Sequence, residues 1–292
     1  MKKILTLLLL LNVVGMCAAA EPETFGDAIQ SASDSVMVQD YPDAINSYQL
    51  ALKLALTDQE KSLALLGLGI VHSVEERYAE ARINFDKAAQ LTDANPDLKL
   101  TYISYIGDSF LAEGNFASAR AQYLRALSIK TAKPENRFGV QRSIGKSYLM
   151  EKKFSQARKA FRKLLGYESK VPDAKSSFTF MTGKSYFEEG KHKEARTFFK
   201  QTIAIDENSF VDKNPKMRLL KSSLIRTDIQ NAQLSIADSY FAEKDYVKAK
   251  AEYSKTLRLE KLNTYVRGSA TKQLKAIADT EASAKTGGTT TK

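Results

Sequence analysis

The sequence predicts an all-α protein, an array of about six helix-turn-helix units that follow one another along the chain. Alanines recur at intervals of 37, 38, 38, 38 and 54 residues, and an aromatic residue stands four positions after each of them. These pairs are Ala44 and Tyr48, Ala81 and Phe85, Ala119 and Tyr123, Ala157 and Phe161, Ala195 and Phe199, and Ala249 and Tyr253. Repetition at this period indicates helical pairs, each too small to bury its apolar face alone.

A second pattern precedes most of the alanines: a bulky residue, a small one, and an aromatic three positions further on, as in Ile144-Gly145 with Tyr148. The bulky residue and the aromatic are four apart and lie on one helix face, where the small residue lets a neighbouring helix approach closely. Glycine inside a helix costs roughly 1 kcal/mol relative to alanine, so its recurrence indicates a packing requirement. The predicted packing glycines are Gly69, Gly107, Gly145 and Gly183, and the six recurring alanines have the same predicted role in the second helices.

These motifs resemble the tetratricopeptide repeat, a helix-turn-helix unit of about 34 residues. The resemblance covers most of the chain, with copies at 25–58, 62–95, 100–133, 138–171, 176–209 and 230–263. It implies a right-handed superhelical array. The copies depart from the family pattern in two ways: the early Trp of the motif is missing, since the chain has no Trp, and His72 replaces an aromatic in the second copy.

The turns inside the repeats follow from residues that tolerate a positive φ. Gly114 and Gly190 suit this conformation between the two helices of their repeats. The corresponding turns at 150–153 and 243–245 have no glycine.

The regular period is interrupted at residues 206–229, which include the end of the fifth copy and the link to the sixth. Asn214-Pro215 is a good helix start, so we expect the first helix of the sixth repeat to be lengthened at its N-terminus. A separate short helix is the alternative. Residues 262–282 are predicted to form a capping helix over the last apolar face, and 283–292 a disordered tail.

The N-terminus has the organisation of a signal peptide, residues 1–20. Two lysines precede an apolar run from Ile4 to Met16, and three alanines then provide a cleavage site. The repeat domain of the exported chain would then span 21–282. We expect an exported bacterial protein, in the periplasm, with an envelope-associated or a secreted protein as the alternatives.

Two other interpretations of the N-terminus connect the chain to a membrane. An uncleaved leader would be an anchor, although the apolar run is short for a span of about 20 residues. Lipidation of Cys17 is the other, because Val14-Gly15-Met16-Cys17 faintly resembles a lipobox.

Catalysis, cofactors and metals are not predicted by any pattern in the chain. Cys17 is the only cysteine, and His72 and His192 are the only histidines, which disfavours zinc. His72 is expected to pack in place of an aromatic, and His192 lies between two lysines. No nucleophile elbow or phosphate-binding loop is present. We therefore expect a protein that is not an enzyme and needs no cofactor or metal.

Binding is the expected activity, because in tetratricopeptide repeats positions 5, 9 and 12 of each unit face a concave groove. Seven residues at these positions are the predicted partner-binding residues: Arg142, Lys146, Phe180, Lys184, Phe187, Asp238 and Phe241. Cations beside aromatic rings suit an extended peptide with acidic and apolar residues, or a C-terminal carboxylate.

Charge is distributed unevenly along the chain. Residues 21–134 carry 10 basic and 16 acidic side chains, whereas 135–292 carry 32 and 18. The first hypothesis is a non-enzymatic scaffold of the cell envelope that binds peptide segments of partner proteins. The second is attachment of the basic half to an acidic glycan, lipid or wall polymer. The third is an enzyme or a regulatory subunit of one. Export argues against nucleic acid, and the pattern names neither the partner nor the oligomeric state.

Overall fold

A computed structural model of the protein describes residues 24–171, 173–205 and 215–286. These residues form thirteen α-helices and one 3-10 helix, and they contain no β-strand. The prediction of an all-α helical repeat array is confirmed. The predicted signal peptide, 1–20, lies outside the described residues.

The chain divides into two compact units, of which the first is Met1–Ser109. Its helices are α1 (Phe25–Met37), α2 (Tyr41–Leu54), α3 (Asp58–Val74), α4 (Tyr78–Gln90) and α5 (Pro96–Ala112), the last three residues of α5 belonging to the second unit. α1 packs against α2, α2 against α3, and α3 against α4. Thr57 and Glu60 form a capping box at the start of α3, which satisfies backbone donors that have no partner within the helix.

The second unit, Phe110–Lys292, contains the remaining helices. They are α6 (Phe116–Leu127), α7 (Pro134–Met150), α8 (Phe154–Arg162), a 3-10 helix (Lys163–Tyr167), α9 (Ala174–Glu188), α10 (His192–Ile203), α11 (Pro215–Ala242), α12 (Tyr246–Leu257) and α13 (Thr264–Thr286). Each of these α-helices packs against the next along the chain, and α9 also contacts α11. The first helices of the last two repeats, α9 and α11, are thus brought side by side.

The predicted lengthening of the sixth repeat is confirmed, because α11 begins at Pro215 and is 28 residues long. The final helix, α13, differs from its predicted bounds. It begins two residues later than 262 and continues to Thr286, so the first four residues of the predicted tail are helical. This stretch contains Ala284, the best helix former, whereas two glycines follow Thr286. Residues 206–214 and 287–292 lie outside the described residues.

The turns inside the repeats share one left-handed residue. Gly114 and Gly190 have φ values of 76° and 79°, as predicted. Lys152 and Lys244 hold the same place in their repeats with φ values of 59° and 60°. At each of these four turns the next residue donates its backbone N–H to the carbonyl oxygen five positions earlier, as Lys153 does to Tyr148 at 2.9 Å. This Schellman arrangement satisfies carbonyl groups at the end of the first helix.

Inside a repeat, an aromatic ring of the second helix lies against a glycine of the first. A Cβ at Gly145 would overlap the Phe161 ring, and a Cβ at Gly183 would lie 2.7 Å from the Phe199 ring. Phe161 and Phe199 are at most 1% exposed, and the six recurring alanines are fully buried. The ring therefore occupies the space that a side chain at the glycine would fill.

We predict that Gly145→Ala lowers the free energy of unfolding, by about 1–3 kcal/mol, because the new methyl group overpacks the Phe161 ring. Gly139→Ala is the matched control, since it lies in the same helix with nothing within 4 Å of its Cβ position. That substitution should stabilise the protein by roughly 0.5–1 kcal/mol. Thermal unfolding of both variants measures the difference, and equal shifts would contradict the packing assignment.

Between successive repeats of the second unit, an arginine links the second helix of one to the first helix of the next. It directly follows the recurring alanine, stacks on a tyrosine ring at 4.2 Å from the centroid, and pairs with a glutamate at 2.7–2.8 Å. The three sets are Arg120 with Tyr148 and Glu151, Arg158 with Tyr186 and Glu189, and Arg196 with Tyr240 and Glu243. We call these sets the arginine links.

The arginine links are partly shielded from water. The arginine side chains are only 10–19% exposed. Arg158 also donates to the Ser185 hydroxyl at 3.2 Å, and hydrogen bonds from Lys191 and Arg158 hold the pKa of Glu189 below its usual range. A cation on an aromatic ring is worth about 2 kcal/mol when water is excluded, so each link contributes to the contact between repeats.

We predict that Arg158→Met lowers the free energy of unfolding by about 1–3 kcal/mol, because it removes the ring stacking and the ion pair while keeping an apolar stem. Arg162→Met is the matched control, since Arg162 is exposed at the end of the same helix. Urea denaturation of both variants provides the comparison. If the two variants lose the same stability, the arginine links do not hold the repeats together.

Candidate functional site

The first helices of the last two repeats and the final helix border a cavity of about 420 Å³ in the second unit. It is lined by Phe180, Lys184, Phe187 and Glu188 of α9, Phe199 of α10, Asn231, Leu234, Ser235 and Asp238 of α11, and Tyr265 of α13. A cavity of this size, with aromatic walls and a few polar groups, has the character of a ligand-binding site.

Helical spacing explains why these side chains converge. The lining residues of α9 fall at 180, 184, 187 and 188, and those of α11 at 231, 234, 235 and 238, so each set lies on one face of its helix. The aromatic walls are continuous with the core, because Phe199 clusters with Ala195, Ala232 and Ile236, and Phe180 and Phe187 pack against this cluster. Core packing therefore fixes the rings that border the cavity.

Four of the seven predicted partner-binding residues line this cavity: Phe180, Lys184, Phe187 and Asp238. The other three do not. Arg142 and Lys146 are exposed on α7, and Phe241 belongs to the core of the last repeat, where its ring meets Tyr246 edge-on at 5.6 Å.

Four lining residues with polar side-chain groups were not among the predicted partner-binding residues: Glu188, Asn231, Ser235 and Tyr265. Their positions in the repeat explain the omission. Asn231 and Tyr265 stand near the start of their helices and Glu188 directly follows Phe187, whereas the prediction considered positions 5, 9 and 12 only. Tyr265 could not be predicted as a lining residue, because α13 was expected only to cap the core and not to border a cavity.

The polar groups at the cavity have few partners within the protein. Lys184 and Glu188 are four residues apart on α9, the spacing at which opposite charges pair on a helix, yet they form no ion pair. Among the described residues, the side chains of Lys184, Glu188, Asn231 and Ser235 have no hydrogen-bond or ion-pair partner. The cavity therefore has an unpaired cation, an unpaired carboxylate, an amide and a hydroxyl to offer a ligand.

Asp238 is the one lining carboxylate that is tied to the protein. The Tyr253 hydroxyl donates a 2.7 Å hydrogen bond to its Oδ1. Burial raises the pKa of Asp238, and burial together with this hydrogen bond raises the pKa of Tyr253. Tyr253 is fully buried, so it fixes the Asp238 side chain at the floor of the cavity.

The lengthened part of α11 brings a further carboxylate, Asp228, against the start of α9. Ser176 donates to Asp228 Oδ2 at 2.9 Å, and Ser177 does so at 3.5 Å. Burial raises the pKa of Asp228 to about 6, the neighbouring Asp173 adds to this, and Arg142 opposes it. Arg142 thus acts electrostatically on the protein's own carboxylate.

A smaller cavity, of about 300 Å³, lies where α11 meets the link to α13. The buried Gln230 holds this link: its side chain donates to the carbonyl of Lys261 at 3.1 Å and accepts from the backbone and side chain of Asn263. Lys261 has a φ of 49°. Because the side chain of Gln230 already forms hydrogen bonds within the protein, this cavity is the weaker candidate for a binding site.

The described residues contain neither a metal-binding cluster nor a membrane-spanning helix. Within 24–171, 173–205 and 215–286, no group of three or more His, Cys, Asp or Glu side chains could hold a metal ion. His72 is buried, which lowers its pKa, and His192 packs on the Phe187 ring at 5.2 Å. Across those residues, no helix is both long and apolar enough to cross a membrane.

A family model described as the tetratricopeptide repeat matches residues 36–97 and 143–210. The predicted resemblance is thereby confirmed. No curated protein matches the sequence.

Solved structures share the fold at low sequence identity. PilW, described as a widely conserved type IV pilus biogenesis factor, is 15% identical with a TM-score of 0.52, over 85% of this chain and 98% of that one. BtubC from P. vanneervenii is 16% identical with a TM-score of 0.52, over 80% and 89%. The APC/C hetero-tetramer Cut9-Hcn1 is 14% identical with a TM-score of 0.52, over 88% of this chain but 43% of that one. This chain thus spans less than half of that relative's length.

We predict that Asp228→Asn stabilises the protein at pH 7.5 and has little effect near pH 4. The pKa of Asp228 is raised from 3.8 to about 6, so the folded state keeps a proton that the unfolded state loses first. Stability from this group therefore falls as the pH rises from about 4 to about 6, by on the order of 2–3 kcal/mol. Asparagine does not titrate and can still accept the Ser176 hydrogen bond.

Melting temperatures of wild type and Asp228→Asn at pH 4 and pH 7.5 test this prediction. Asp279→Asn, which removes an exposed carboxylate of α13, is the control and should follow wild type at both pH values. A variant that is no more stable than wild type at pH 7.5 would contradict the assignment.

Proposed function

We propose that this tetratricopeptide-repeat protein is a non-enzymatic scaffold of the bacterial cell envelope that holds an extended segment of a partner protein against the first helices of its repeats. Tetratricopeptide repeats are protein-interaction modules, which supports the general assignment. The observation that carries the specific proposal is the cavity of α9, α11 and α13, where polar groups without partners stand among aromatic rings.

The chemistry of the cavity suits a peptide with one large apolar side chain and charged neighbours. Phe180, Phe187 and Tyr265 offer aromatic surface for the apolar side chain, which would act as the anchor of the interface. Lys184 suits a carboxylate of the partner and Glu188 a cation, each of which lacks a partner in the protein. The amide of Asn231 can bond to the partner's main chain.

The envelope location is supported by two observations. The first 20 residues have the pattern of a signal peptide. Among the structures of the same fold, PilW is described as a type IV pilus biogenesis factor. We propose on this basis that the scaffold serves the assembly of an envelope structure, in the periplasm.

Photo-crosslinking in the native cell tests the proposal. p-Benzoylphenylalanine replaces Tyr265, which is 72% exposed and lines the cavity, or Val247, which is 82% exposed on α12 and does not. The proposal expects a discrete protein adduct from position 265 and none from position 247. Lys184→Glu should reduce the adduct at least several-fold, whereas Lys193→Glu on α10, exposed and outside the cavity, should not.

The scaffold proposal fails if position 265 gives no protein adduct, or if positions 265 and 247 give the same adducts. If Lys184→Glu does not reduce the adduct, the partner does not bind through the cavity, and this result also contradicts the proposal.

Attachment to a polyanion is the second candidate function, and the charge of the second unit favours it. The described residues of this unit contain 34 Lys and Arg against 16 Asp and Glu. Binding of this kind would weaken steeply with added salt, because it depends on the release of counterions. The test is sedimentation of the protein with anionic vesicles or isolated wall polymer at low and at moderate salt. Polyanion binding should be lost at moderate salt, whereas a cavity contact with an apolar anchor should survive it.

A further inference from the structure

The contact between the first two repeats departs from the arginine links at two of the three positions. Glu75 directly follows α3 and holds the place of the linking glutamates. His72, one turn earlier on α3, holds the place of the tyrosines, and Ile45, directly after the recurring Ala44 of α2, holds the place of the arginines. Because α2 packs against α3, this contact forms without the guanidinium of the later ones. We call Ile45, His72 and Glu75 the histidine junction.

Two polar atoms of the histidine junction are buried and have no hydrogen-bond partner among the described residues: Nδ1 of His72 and Oε2 of Glu75. They lie 3.9 Å apart, which is too far for a hydrogen bond. The His72 side chain is only 10% exposed, so water compensates little for the missing partner. A buried polar atom without a partner is costly, and a buried charge is more costly still. The histidine junction therefore suits a neutral imidazole better than a charged one.

The charged groups around the imidazole do not offset the cost of its ionisation. Burial lowers the pKa of the imidazole and Arg77 lowers it further, whereas Glu80 and Glu75 together raise it by less. Arg77, at the start of α4, lies 3.6 Å from Glu75 and 3.1 Å from Glu80, so both carboxylates already face a cation. On α2, the carboxylate nearest in sequence to Ile45 is Asp43, which accepts a 2.6 Å hydrogen bond from the Ser35 hydroxyl of α1.

We propose that the histidine junction is an acid-sensitive contact of the array, in which protonation of His72 loosens the first repeat from the second. The neutral ring packs as the aromatic side chains of the later repeats do, whereas the imidazolium is a buried charge without a partner. The arginine links keep their charge in mild acid, because a guanidinium does not lose or gain a proton there. This regulation acts in the first unit and does not depend on the function proposed for the cavity.

The sign of the pH dependence follows from the lowered pKa of His72. Its value in the folded state lies below the ordinary value of 6.5, so the folded state binds this proton less readily than the unfolded state does. The stability that the histidine junction has above pH 6.5 is therefore lost as the pH falls below 6.5 toward the folded pKa. Asp228 in the second unit has the opposite dependence, since its pKa is raised, so the two effects are separated only by a local measurement.

The first experiment measures the protonation of His72 by NMR. The chain has two histidines, so carbon-proton spectra of the intact protein contain two imidazole signals, and His192→Phe identifies which of them belongs to His72. The His72 signal should titrate with a midpoint below pH 6.5. A midpoint at or above 6.5 would mean that the histidine junction stabilises the imidazolium, and would overturn the inference.

Hydrogen exchange then locates the loosening. After correction for the intrinsic pH dependence of exchange, the amides of α1 and α2 should open at least threefold more often at pH 5.5 than at pH 7.5. The amides of α6 and α7, which are joined by the arginine link of Arg120, should differ less than 1.5-fold. Equal opening of α1 and α2 at the two pH values, or more frequent opening at pH 7.5, would overturn the inference.

Three variants assign the effect to the histidine junction. His72→Phe supplies an aromatic ring that does not titrate and should abolish the pH difference in α1 and α2. His192→Phe is the matched control, because it removes the other histidine, on α10, and should leave that difference unchanged. Ile45→Arg with His72→Tyr introduces the residues of an arginine link and should protect α1 and α2 equally at both pH values, which keeps the test decisive if His72→Phe does not fold.

A pH difference in α1 and α2 that persists in these two His72 variants would contradict the assignment, as would its loss in His192→Phe. Neither His72 variant changes a residue that lines the cavity. This test and the crosslinking at position 265 can therefore fail independently.

Discussion

The contact between an aromatic ring and a glycine determines how closely the two helices of a repeat can approach. Phe161 lies where a side chain at Gly145 would be, and Phe199 stands in the same relation to Gly183. The alanine four residues before each ring is fully buried, and its small side chain also allows the second helix to lie close to its neighbour. Because the two helices are fixed at short range, the remaining faces of each first helix are fixed as well. One of those faces packs against the next repeat and another is turned to the surface where binding is proposed.

The arginine links then couple each repeat of the second unit to the next. Their geometry follows from the turn: the glutamate directly follows the first helix, and the tyrosine lies one turn earlier, within that helix. A guanidinium can stack on a ring and bind a carboxylate at once, which lysine cannot do equally well. In the last repeat Lys250 holds the arginine position, and it forms only an exposed ion pair with Glu281 of α13, at 3.3 Å. The capping helix is thus attached chiefly by apolar packing around Val266 and Ile277.

The fold could be predicted because its determinants are local and repeated: alanine, glycine and aromatic residues at a constant period. The linking arginines also recur in the sequence, since Arg120, Arg158 and Arg196 each follow a recurring alanine, but only the structure pairs them with residues 28–47 positions away. Some of the residues that border the cavity could be named in advance: Lys184 and Phe187 occupy repeat positions that the resemblance to the tetratricopeptide repeat assigns to a groove. The resemblance could not show that the final helix would supply Tyr265, or that the lengthened α11 would place Asp228 where Arg142 acts on it. Such residues depend on contacts between elements, which a periodic pattern does not encode.

The arginine links also decide which charges remain available for binding. Each linking arginine is neutralised by a glutamate and largely removed from water, so it adds stability without adding accessible charge. The positive surplus of the second unit therefore resides in exposed side chains, mostly lysines, which are easily screened by salt. The cavity differs, because Lys184 and Glu188 stand beside aromatic rings and close to each other. In the proposed function, selection of a partner at the cavity would depend on the pairing of two opposite charges with an apolar anchor, whereas the lysine-rich surface would distinguish partners only by their net charge. For this reason specificity is expected to reside in the cavity, and the surrounding positive field to affect mainly the rate of association.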